Sequence, residues 1–443
     1  MRAWVLWDDP FAHGYDGYYY VLQVRSWQAG APLFADDSLV FPLLAALGWL
    51  VGDVVVGNKL AACAFGALTA VGGAVAARRW TGSWWAATVT GALWAVSPLH
   101  LGISAEFLKN AAGLAVLALL LAVLPRCWRS RWALAGVGLL TLLALMTHKL
   151  AGVFAVLLTG VVLGLALWRR LRLGWSVVAG LGVVGLAGSL GVLRVVDLSR
   201  FSAGLGRVGD RWAPLVDPGL SWGEKLALAA LYLAPVGLGL WAWRGPREQR
   251  VLAVALAVVA LACTAPGLPM GYDLTAWRLA LMGFVPLGLL AGALSARWPA
   301  VGGVLLALGL AQLPATVAGR RDREPDYVRW STVLPVLEER VAPDERLVAH
   351  RGLCGFLWAE TGRVCENFAP QGDLRGWWRV SYGFGPRQLD PYGRSEPLLP
   401  GYRLMREADY RRMAEQEEHR MLRSPRNPHE ARPDFVYGPG DTE

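Results

Sequence analysis

The chain has 443 residues, of which 55% are hydrophobic and 17% are charged, and its formal net charge is +9. With a mean hydropathy of +0.37, this composition is typical of polytopic membrane proteins and excludes an ordinary soluble globular protein. A charge of +9 would indicate nucleic-acid binding in a soluble protein. Here the arginines cluster in short loops between apolar runs, so we expect no nucleic-acid partner.

Residues 1–56 form a predicted outer segment that ends in a short apolar piece at 39–52. The piece is too short to span a bilayer, and its prolines and glycines favour an interfacial or re-entrant helix. The segment is also rich in acids and tyrosines: Asp8, Asp9, Tyr15, Asp16, Tyr18, Tyr19, Tyr20, Asp36 and Asp37.

Asp16 has two interpretations. The simpler one is an N-cap, because a carboxylate is favoured at the start of a helix. The other is a general base at the membrane face, flanked by rings, including Tyr18 and Tyr19, that can stack on a sugar. Carboxylates beside membrane helices are functional candidates because their desolvation is costly.

Residues 57–319 form a predicted helical membrane domain. Its apolar runs lie at 57–77, 84–103, 107–124, 132–168, 175–193, 226–243, 251–265, 276–294 and 299–318. Each matches a hydrocarbon core of roughly 30 Å, and 132–168 allows two crossings, so we predict about ten spans.

The distribution of arginine predicts the sidedness of these spans. Arginines cluster in alternate loops, which the positive-inside rule assigns to the cytoplasm of a multi-pass plasma-membrane protein. Residues 1–56 and residues after about 320 are then extracytoplasmic. No signal peptide or preceding helix in this sequence carries an outer N-terminus across. Either the short N-terminal segment crosses unaided or, as we expect, a first helix is missing before Met1.

Polar residues mark the predicted outer turns between these spans. Glu106 and Lys109 are three apart, so on one helix they share a face and can form an ion pair; alternatively, Glu106 is a second catalytic acid and Lys109 contacts an anionic substrate. His148 and Lys149 interrupt an apolar run, and Arg278 begins another. Snorkelling explains such cations without a function, but they would equally suit a lipid-linked phosphate.

Residues 320–443 form a predicted small extracytoplasmic α/β domain. Within it, 346–350 and 363–368 are strand candidates, with a helix at 353–360 between them. Beyond 370 we predict irregular chain with one charged, solvated helix near 406–424. Cys354 and Cys365 form either a disulfide or two unpaired thiols.

The segments YDGYYYVLQVRSWQAGAPL, FPLLAALGWLVGD, GNKLAACAFGALTAVGG and ALWAVSPLHLGISAE resemble the GT-C class of integral-membrane glycosyltransferases. That class includes oligosaccharyltransferase catalytic subunits, protein O-mannosyltransferases and the lipid A aminoarabinose transferase. The resemblance covers roughly residues 8–168, and 270–294 loosely. It implies an all-α polytopic membrane domain followed by a soluble outer domain.

The resemblance also implies a function and roles for individual residues. The expected function is transfer of a sugar from a polyprenyl-phosphate donor on the outer face of the plasma membrane. Asp16 matches the catalytic loop aspartate, Glu106 the acid of the later turn, and Arg278 an arginine that contacts the lipid phosphate. No cofactor is required by this reading, although Asp8 and Asp9 offer carboxylates for a divalent metal.

Two other functions stay open at this point. The first is a transporter or flippase for a lipid-linked or anionic substrate, which calls for charged residues near mid-membrane and broken helices. The second makes the outer domain the functional part, with the helices as a scaffold. Walker A, GxGxxG, HExxH and GxSxG motifs are absent from the sequence, which argues against nucleotide hydrolysis, dinucleotide redox chemistry and zinc proteolysis.

Overall fold

The computed structural model describes residues 2–7, 10–14, 16–30, 38–127, 130–148, 151–160 except 153 and 157, 256, 282–321, 326–349, 351–366, 373–382, 396–399 and 402–412. Over these residues the chain forms two compact units. The first comprises residues 1–8, 35–52 and 56–322, and the second comprises 9–34, 53–55 and 323–443. The predicted outer segment 1–56 therefore contributes residues to both units.

Helices dominate the described part of the chain. In order they are α1 (Arg2–Leu6), α2 (Gly17–Gln28), α3 (Val40–Val51), α4 (Val54–Thr81), α5 (Trp84–Val96), α6 (Pro98–Glu106), α7 (Leu108–Val123), α8 (Arg131–Thr147), α9 (Phe284–Arg297), α10 (Pro299–Arg321), α11 (Asp326–Ser331), α12 (Leu334–Arg340) and α13 (Arg351–Thr361). A short 3₁₀ helix, Leu124–Arg126, follows α7.

Three described helices are long and apolar enough to cross a membrane, or four if a bent pair counts as one span. They are α4, α7 with its 3₁₀ extension, and α10, and the bent pair is α5 with α6. The prediction of about ten spans is therefore not met by the described residues. Runs 132–168 and 276–294 overlap α8 and α9, which have 17 and 14 residues. Most of the runs from 175 to 265 lie outside the described ranges.

The apolar run at 84–103 is not one helix, because α5 and α6 meet at a bend of 50°. Pro98 lacks an N–H and disfavours helical geometry at the residue before it, and Ser97 has an extended ψ of 124°. The Ser97 hydroxyl then caps α6 by accepting a hydrogen bond from the backbone N–H of His100 at 3.3 Å.

Small residues let the helices of the first unit pack closely. Gly288 and Gly292 of α9 are four residues apart, so both face α5. A Cβ at Gly288 would lie 2.2 Å from the indole nitrogen of Trp94, and one at Gly292 would lie 2.0 Å from the hydroxyl of Thr90. The Thr90 hydroxyl also donates to the Gly288 carbonyl at 3.2 Å.

The second unit contains a five-stranded mixed sheet. Its strands are β1 (Arg346–Val348), β2 (Cys365–Glu366), β3 (Trp377–Tyr382), β4 (Glu396–Leu399) and β5 (Tyr402–Arg406). The order is β2-β1-β3-β5-β4, with β1 parallel to β2 and β3, and β5 antiparallel to β3 and β4. The predicted strand–helix–strand unit is confirmed as β1, α13 and β2.

The prediction of irregular chain beyond 370 is wrong, because β3, β4 and β5 lie there. The predicted charged helix near 406–424 is confirmed where the structure describes it, at residues 407–412, but its first residue is not solvated. Glu407 is 1% exposed, and it pairs with Arg379 at 2.6 Å and with Arg411 at 3.2 Å. Two guanidinium groups compensate this carboxylate, which a buried charge requires.

Helix α2 belongs to the hydrophobic core of the second unit. The ring of Tyr18 lies 4.7 Å from that of Tyr327 and 5.0 Å from that of Phe356, in edge-to-face contacts. A Cβ at Gly355 of α13 would lie 3.3 Å from the backbone nitrogen of Tyr19. The predicted outer-loop helix therefore packs directly against α13.

A disulfide joins Cys354 of α13 to Cys365 of β2. The disulfide interpretation of these cysteines is therefore confirmed over that of two unpaired thiols. Because α13 also carries the contacts to α2, the bond cross-links the helix on which α2 packs.

Candidate functional site

Asp16 lies at the N-cap of α2, but its carboxylate makes no capping hydrogen bond. The residue is 8% exposed, and its backbone carbonyl accepts from the N–H of Tyr20 at 3.1 Å. A helix does begin at Asp16, as predicted. The simpler interpretation is therefore correct for the position of Asp16 but not for its carboxylate, which does not cap the helix.

The two predicted sugar-stacking tyrosines have different surroundings. Tyr18 is 2% exposed and contributes to the aromatic core of the second unit. Tyr19 is half-buried, and its ring centre lies 5.5 Å from that of Tyr20. Of Tyr18 and Tyr19, Tyr19 is the one that keeps solvent-exposed surface.

Burial raises the pKa of the Tyr18 phenol well above its usual range, and Glu360 raises it further through its charge and a side-chain hydrogen bond. Glu360 is an exposed residue in the last turn of α13. The phenol therefore stays protonated at neutral pH and links α2 to the end of α13.

Glu106 and Lys109 lie on two successive helices, not on one. Glu106 is the last residue of α6, and α7 begins at Leu108. Phe107 between them has φ −135° and ψ 81°, which no helix contains. The predicted common helical face of Glu106 and Lys109 is therefore wrong, because the chain turns at Phe107.

The structure brings Lys109 and His148 to one face of α7. A Cβ at Gly113 of α7 would lie 3.0 Å from the Cβ of His148, and Gly113 is one turn beyond Lys109 on the same face. The position of Lys109 on α7 and the point where His148 contacts α7 are therefore about one helical turn apart, roughly 5.4 Å along the axis.

The start of α3 completes this arrangement, which we call the α3–α7–α8 junction (Ser38, Phe41, Lys109 and His148). The ammonium group of Lys109 lies 5.5 Å from the ring centre of Phe41, a cation–π contact. The Ser38 hydroxyl donates to the Thr147 carbonyl at 2.5 Å. Helix α3 and its N-cap expose large apolar side chains: Leu39, Leu43, Trp49, Leu50 and Val51.

Four predicted site residues lie outside the described residues: Asp8, Asp9, Lys149 and Arg278. Asp36 and Asp37 lie outside them too. Within the described ranges, His, Cys, Asp and Glu form no group of three or more that could hold a metal ion. The metal prediction for Asp8 and Asp9 stays a prediction.

The first unit also contains a buried polar cluster that the sequence did not predict. Arg2 Nε donates to Ser104 Oγ at 3.2 Å, and Arg2 Nη2 lies 2.7 Å from His100 Nδ1. Arg2, His100 and Ser104 are 9%, 0% and 3% exposed. An arginine and a histidine in apolar surroundings were a usable signal, but sequence spacing does not reveal a contact between residues 98 positions apart.

Comparison with known proteins adds no family to this description. No family model matches the chain, and no curated protein matches it.

Proposed function

We propose that this chain is a membrane glycosyltransferase. It moves a sugar from a polyprenyl-phosphate donor to an acceptor on the outer face of the plasma membrane. The observation that carries this proposal is the α3–α7–α8 junction, where Lys109 and His148 approach the same face of α7 beside a helix with an exposed apolar surface. A lipid-linked phosphate needs both features, because its anionic group requires cations and its chain requires apolar surroundings.

The donor phosphate would bind to Lys109 and His148, with Lys149 and Arg278 as further candidates. The Lys109 ammonium group, with an N–H donor or positive charge from His148, would offset the charge of the leaving phosphate more strongly than either group alone. The exposed apolar side chains of α3 suit a polyprenyl chain lying against them. Membrane lipid is thus the expected partner of this surface.

Asp16 would act as the general base. In the reaction, the acceptor hydroxyl oxygen bonds to the anomeric carbon while the bond from that carbon to the phosphate oxygen breaks. The hydroxyl proton passes to Asp16, and polyprenyl phosphate leaves with the bonding electrons. The Asp16 carboxylate does not cap α2, and in this proposal it takes up the proton as the acceptor hydroxyl attacks.

The test of the base is Asp16→Asn, which keeps the side-chain shape but cannot accept the proton. Transfer of radiolabelled sugar from a panel of polyprenyl-phosphate sugars to membrane extract should be abolished at unchanged expression. Asp373→Asn is the matched control, because it removes an exposed carboxylate from the same unit. Transfer by Asp16→Asn at the wild-type rate would refute the assignment.

The test of the donor site is the kinetics of Lys109→Ala and His148→Ala. Loss of one charge-assisted contact is worth about 1.5 kcal/mol, so KM for the donor should rise about tenfold. Arg131→Ala is the control, since Arg131 is an exposed cation at the opposite end of α8. A KM unchanged in both variants would contradict the proposal.

A transporter or flippase for a lipid-linked or anionic substrate is the second candidate. The bent pair α5 and α6 favours it, because transporters often bind substrate where a membrane helix is interrupted. Uptake of a labelled anion into proteoliposomes that contain the purified chain would support this function. The same preparation assayed for sugar transfer separates the two candidates.

A further inference from the structure

The break between α5 and α6 leaves two backbone carbonyls without helical partners, and a side-chain nitrogen lies close to each. Pro98 has no N–H for the carbonyl of Trp94, and α5 ends before a donor reaches the carbonyl of Ala95. His100 Nδ1 lies 2.8 Å from the Trp94 carbonyl oxygen, and Arg2 Nη1 donates to that of Ala95 at 3.3 Å.

This cluster lies halfway along the longest candidate span. A Cβ at Gly66 of α4 would lie 2.2 Å from Arg2 Nε, so the guanidinium group sits directly against Gly66. Gly66 is about 18 Å from the start of α4 and about 22 Å from its end at 1.5 Å per residue. The guanidinium group therefore lies at a depth that an apolar core of roughly 30 Å would enclose.

The charge of Arg2 is not balanced by a carboxylate among the described residues. Its hydrogen-bond partners there are Ser104, the Ala95 carbonyl and His100. A guanidinium group has five N–H donors, so these contacts leave two of them for another acceptor. A buried cation in apolar surroundings is costly unless an anion compensates it.

His100 supplies a second donor without a partner. Its ring is 0% exposed and stacks on Phe284, with the ring centres 4.8 Å apart, and Nε2 has no hydrogen-bond partner. Nδ1 cannot both accept from Arg2 and donate to the Trp94 carbonyl. When Nδ1 accepts from Arg2, the ring proton is on Nε2, which is then a buried donor awaiting an acceptor.

We propose that Arg2 and His100 form an anion-binding site at the break between α5 and α6, and that its ligand carries a phosphate group. Arginine suits this ligand because its planar N–H donors match phosphate oxygens in pairs. The site is separate from the α3–α7–α8 junction and does not depend on sugar transfer. The phosphate comes either free from water or on a lipid whose headgroup has left the membrane surface.

The first experiment measures the binding of two probes to the purified chain in nanodiscs. Inorganic phosphate tests the free anion, and farnesyl phosphate tests the lipid-linked one, with farnesol as the uncharged match for its chain. Arg2→Lys and His100→Gln should each weaken binding of the accepted probe about tenfold, the effect of one charge-assisted hydrogen bond. Arg79→Lys is the matched control, because Arg79 also donates to a helix carbonyl, that of Ala122, at 2.6 Å.

The outcomes separate the two sources from a purely structural cluster. Binding of phosphate and farnesyl phosphate supports a site open to free anions, whereas binding of farnesyl phosphate alone supports a lipid headgroup. If neither probe binds, or if Arg2→Lys and His100→Gln bind both as the wild type does, the proposal is overturned.

A second measurement avoids variants of the cluster, which could fail to fold. Cys63 lies three residues before Gly66 on α4, so its half-buried thiol is on the helix face that Arg2 packs against. With Cys127 and Cys263 replaced by serine, the accepted probe should slow modification of Cys63 by a membrane-permeant maleimide severalfold. A modification rate independent of both probes would count against the site.

Discussion

Tyr18 shows how burial alters the acid–base chemistry of a single residue. Its phenol is enclosed by the aromatic core of the second unit, and both burial and Glu360 oppose formation of the phenolate. The hydroxyl nevertheless has an acceptor in Glu360, which is what a buried phenol requires. The pKa of Tyr18 is therefore higher in the folded chain than in the unfolded chain.

This shift predicts a loss of stability at alkaline pH. In the unfolded chain Tyr18 releases its proton near pH 10, whereas in the folded chain it keeps it to higher pH. The contribution to stability is therefore complete below about pH 10 and declines as the pH rises above that value. Unfolding of Tyr18→Phe, followed by tryptophan fluorescence between neutral and alkaline pH, should show a shallower decline.

At neutral pH the same variant reports on the bond to Glu360. Tyr18→Phe should lower the free energy of unfolding by about 1 kcal/mol, the net value of one hydrogen bond. Tyr19→Phe is the control, since Tyr19 is half-buried. Equal alkaline slopes for wild type and Tyr18→Phe would show that another group is responsible.

At the scale of elements, Trp94 organises the contact between α4, α5 and α9. Its indole is 1% exposed and fits between Gly73 of α4 and Gly288 of α9. A Cβ at Gly73 would lie 2.3 Å from a ring carbon of Trp94. Glycine at both positions is therefore required by the width of the indole ring, not by backbone conformation.

Gly73→Ala and Gly288→Ala should each destabilise the first unit by about 1–3 kcal/mol, the usual cost of overpacking. Gly303→Ala on α10 is the matched control, because a Cβ there meets nothing within 4 Å. We expect that variant to be neutral or slightly stabilising, since alanine favours helix over glycine. Thermal unfolding in detergent measures all three, and equal melting temperatures would contradict the packing argument.

The disulfide should stabilise the second unit. Its cysteines are 11 residues apart in sequence, and closing such a loop lowers the entropy of the unfolded chain by an amount worth about 3 kcal/mol. Cys354→Ser with Cys365→Ser should therefore increase hydrogen exchange in α13 and β2. Because α2 packs on α13, its amides should exchange faster too, while those of α4 serve as the internal reference.

Local patterns predicted some elements well and missed others for physical reasons. The β1–α13–β2 unit follows from alternating and helical apolar periods, and both survive folding. Strand β3 pairs with β1 and β5, which are not its neighbours in sequence, and no local pattern contains such pairing. Strands β4 and β5 form a local hairpin, which the prediction of irregular chain missed. The apolar run at 84–103 predicted a single span because its apolar content is continuous. In the structure Ser97-Pro98 ends α5, and α6 follows.

The candidate site likewise has features that local sequence predicts and features that depend on distant contacts. The start of α2 at Asp16 was predictable, because a turn residue precedes the tyrosines there. The burial of Tyr18 was not, since it depends on Tyr327 and Phe356, more than three hundred residues away. The approach of His148 to the face of α7 that holds Lys109 depends likewise on how α7 and α8 pack.

For the whole molecule, the decisive quantity is the number of membrane crossings between the loop after α7 and the second unit. The apolar runs from 132 to 318 predict seven crossings, an odd number, so the two ends of this region should face opposite sides. Among the described residues there, α10 is the helix that is long and apolar enough to cross. Whether this number of crossings is odd or even can be measured without knowing the individual spans.

Cys127 and an introduced Asp373→Cys report the two sides. The other cysteines, Cys63, Cys263, Cys354 and Cys365, are replaced by serine, so that Cys127 and Asp373→Cys can each be labelled alone. Asp373 is exposed in the second unit. An impermeant maleimide added to intact cells should label Asp373→Cys but not Cys127, and inverted membrane vesicles should reverse the result. Because the positive-inside rule places the arginine-rich loop around Cys127 in the cytoplasm, labelling of both cysteines from one side would require an even number of crossings. It would also remove the argument that the second unit, with Asp16, faces the outer surface where a polyprenyl-phosphate sugar is presented.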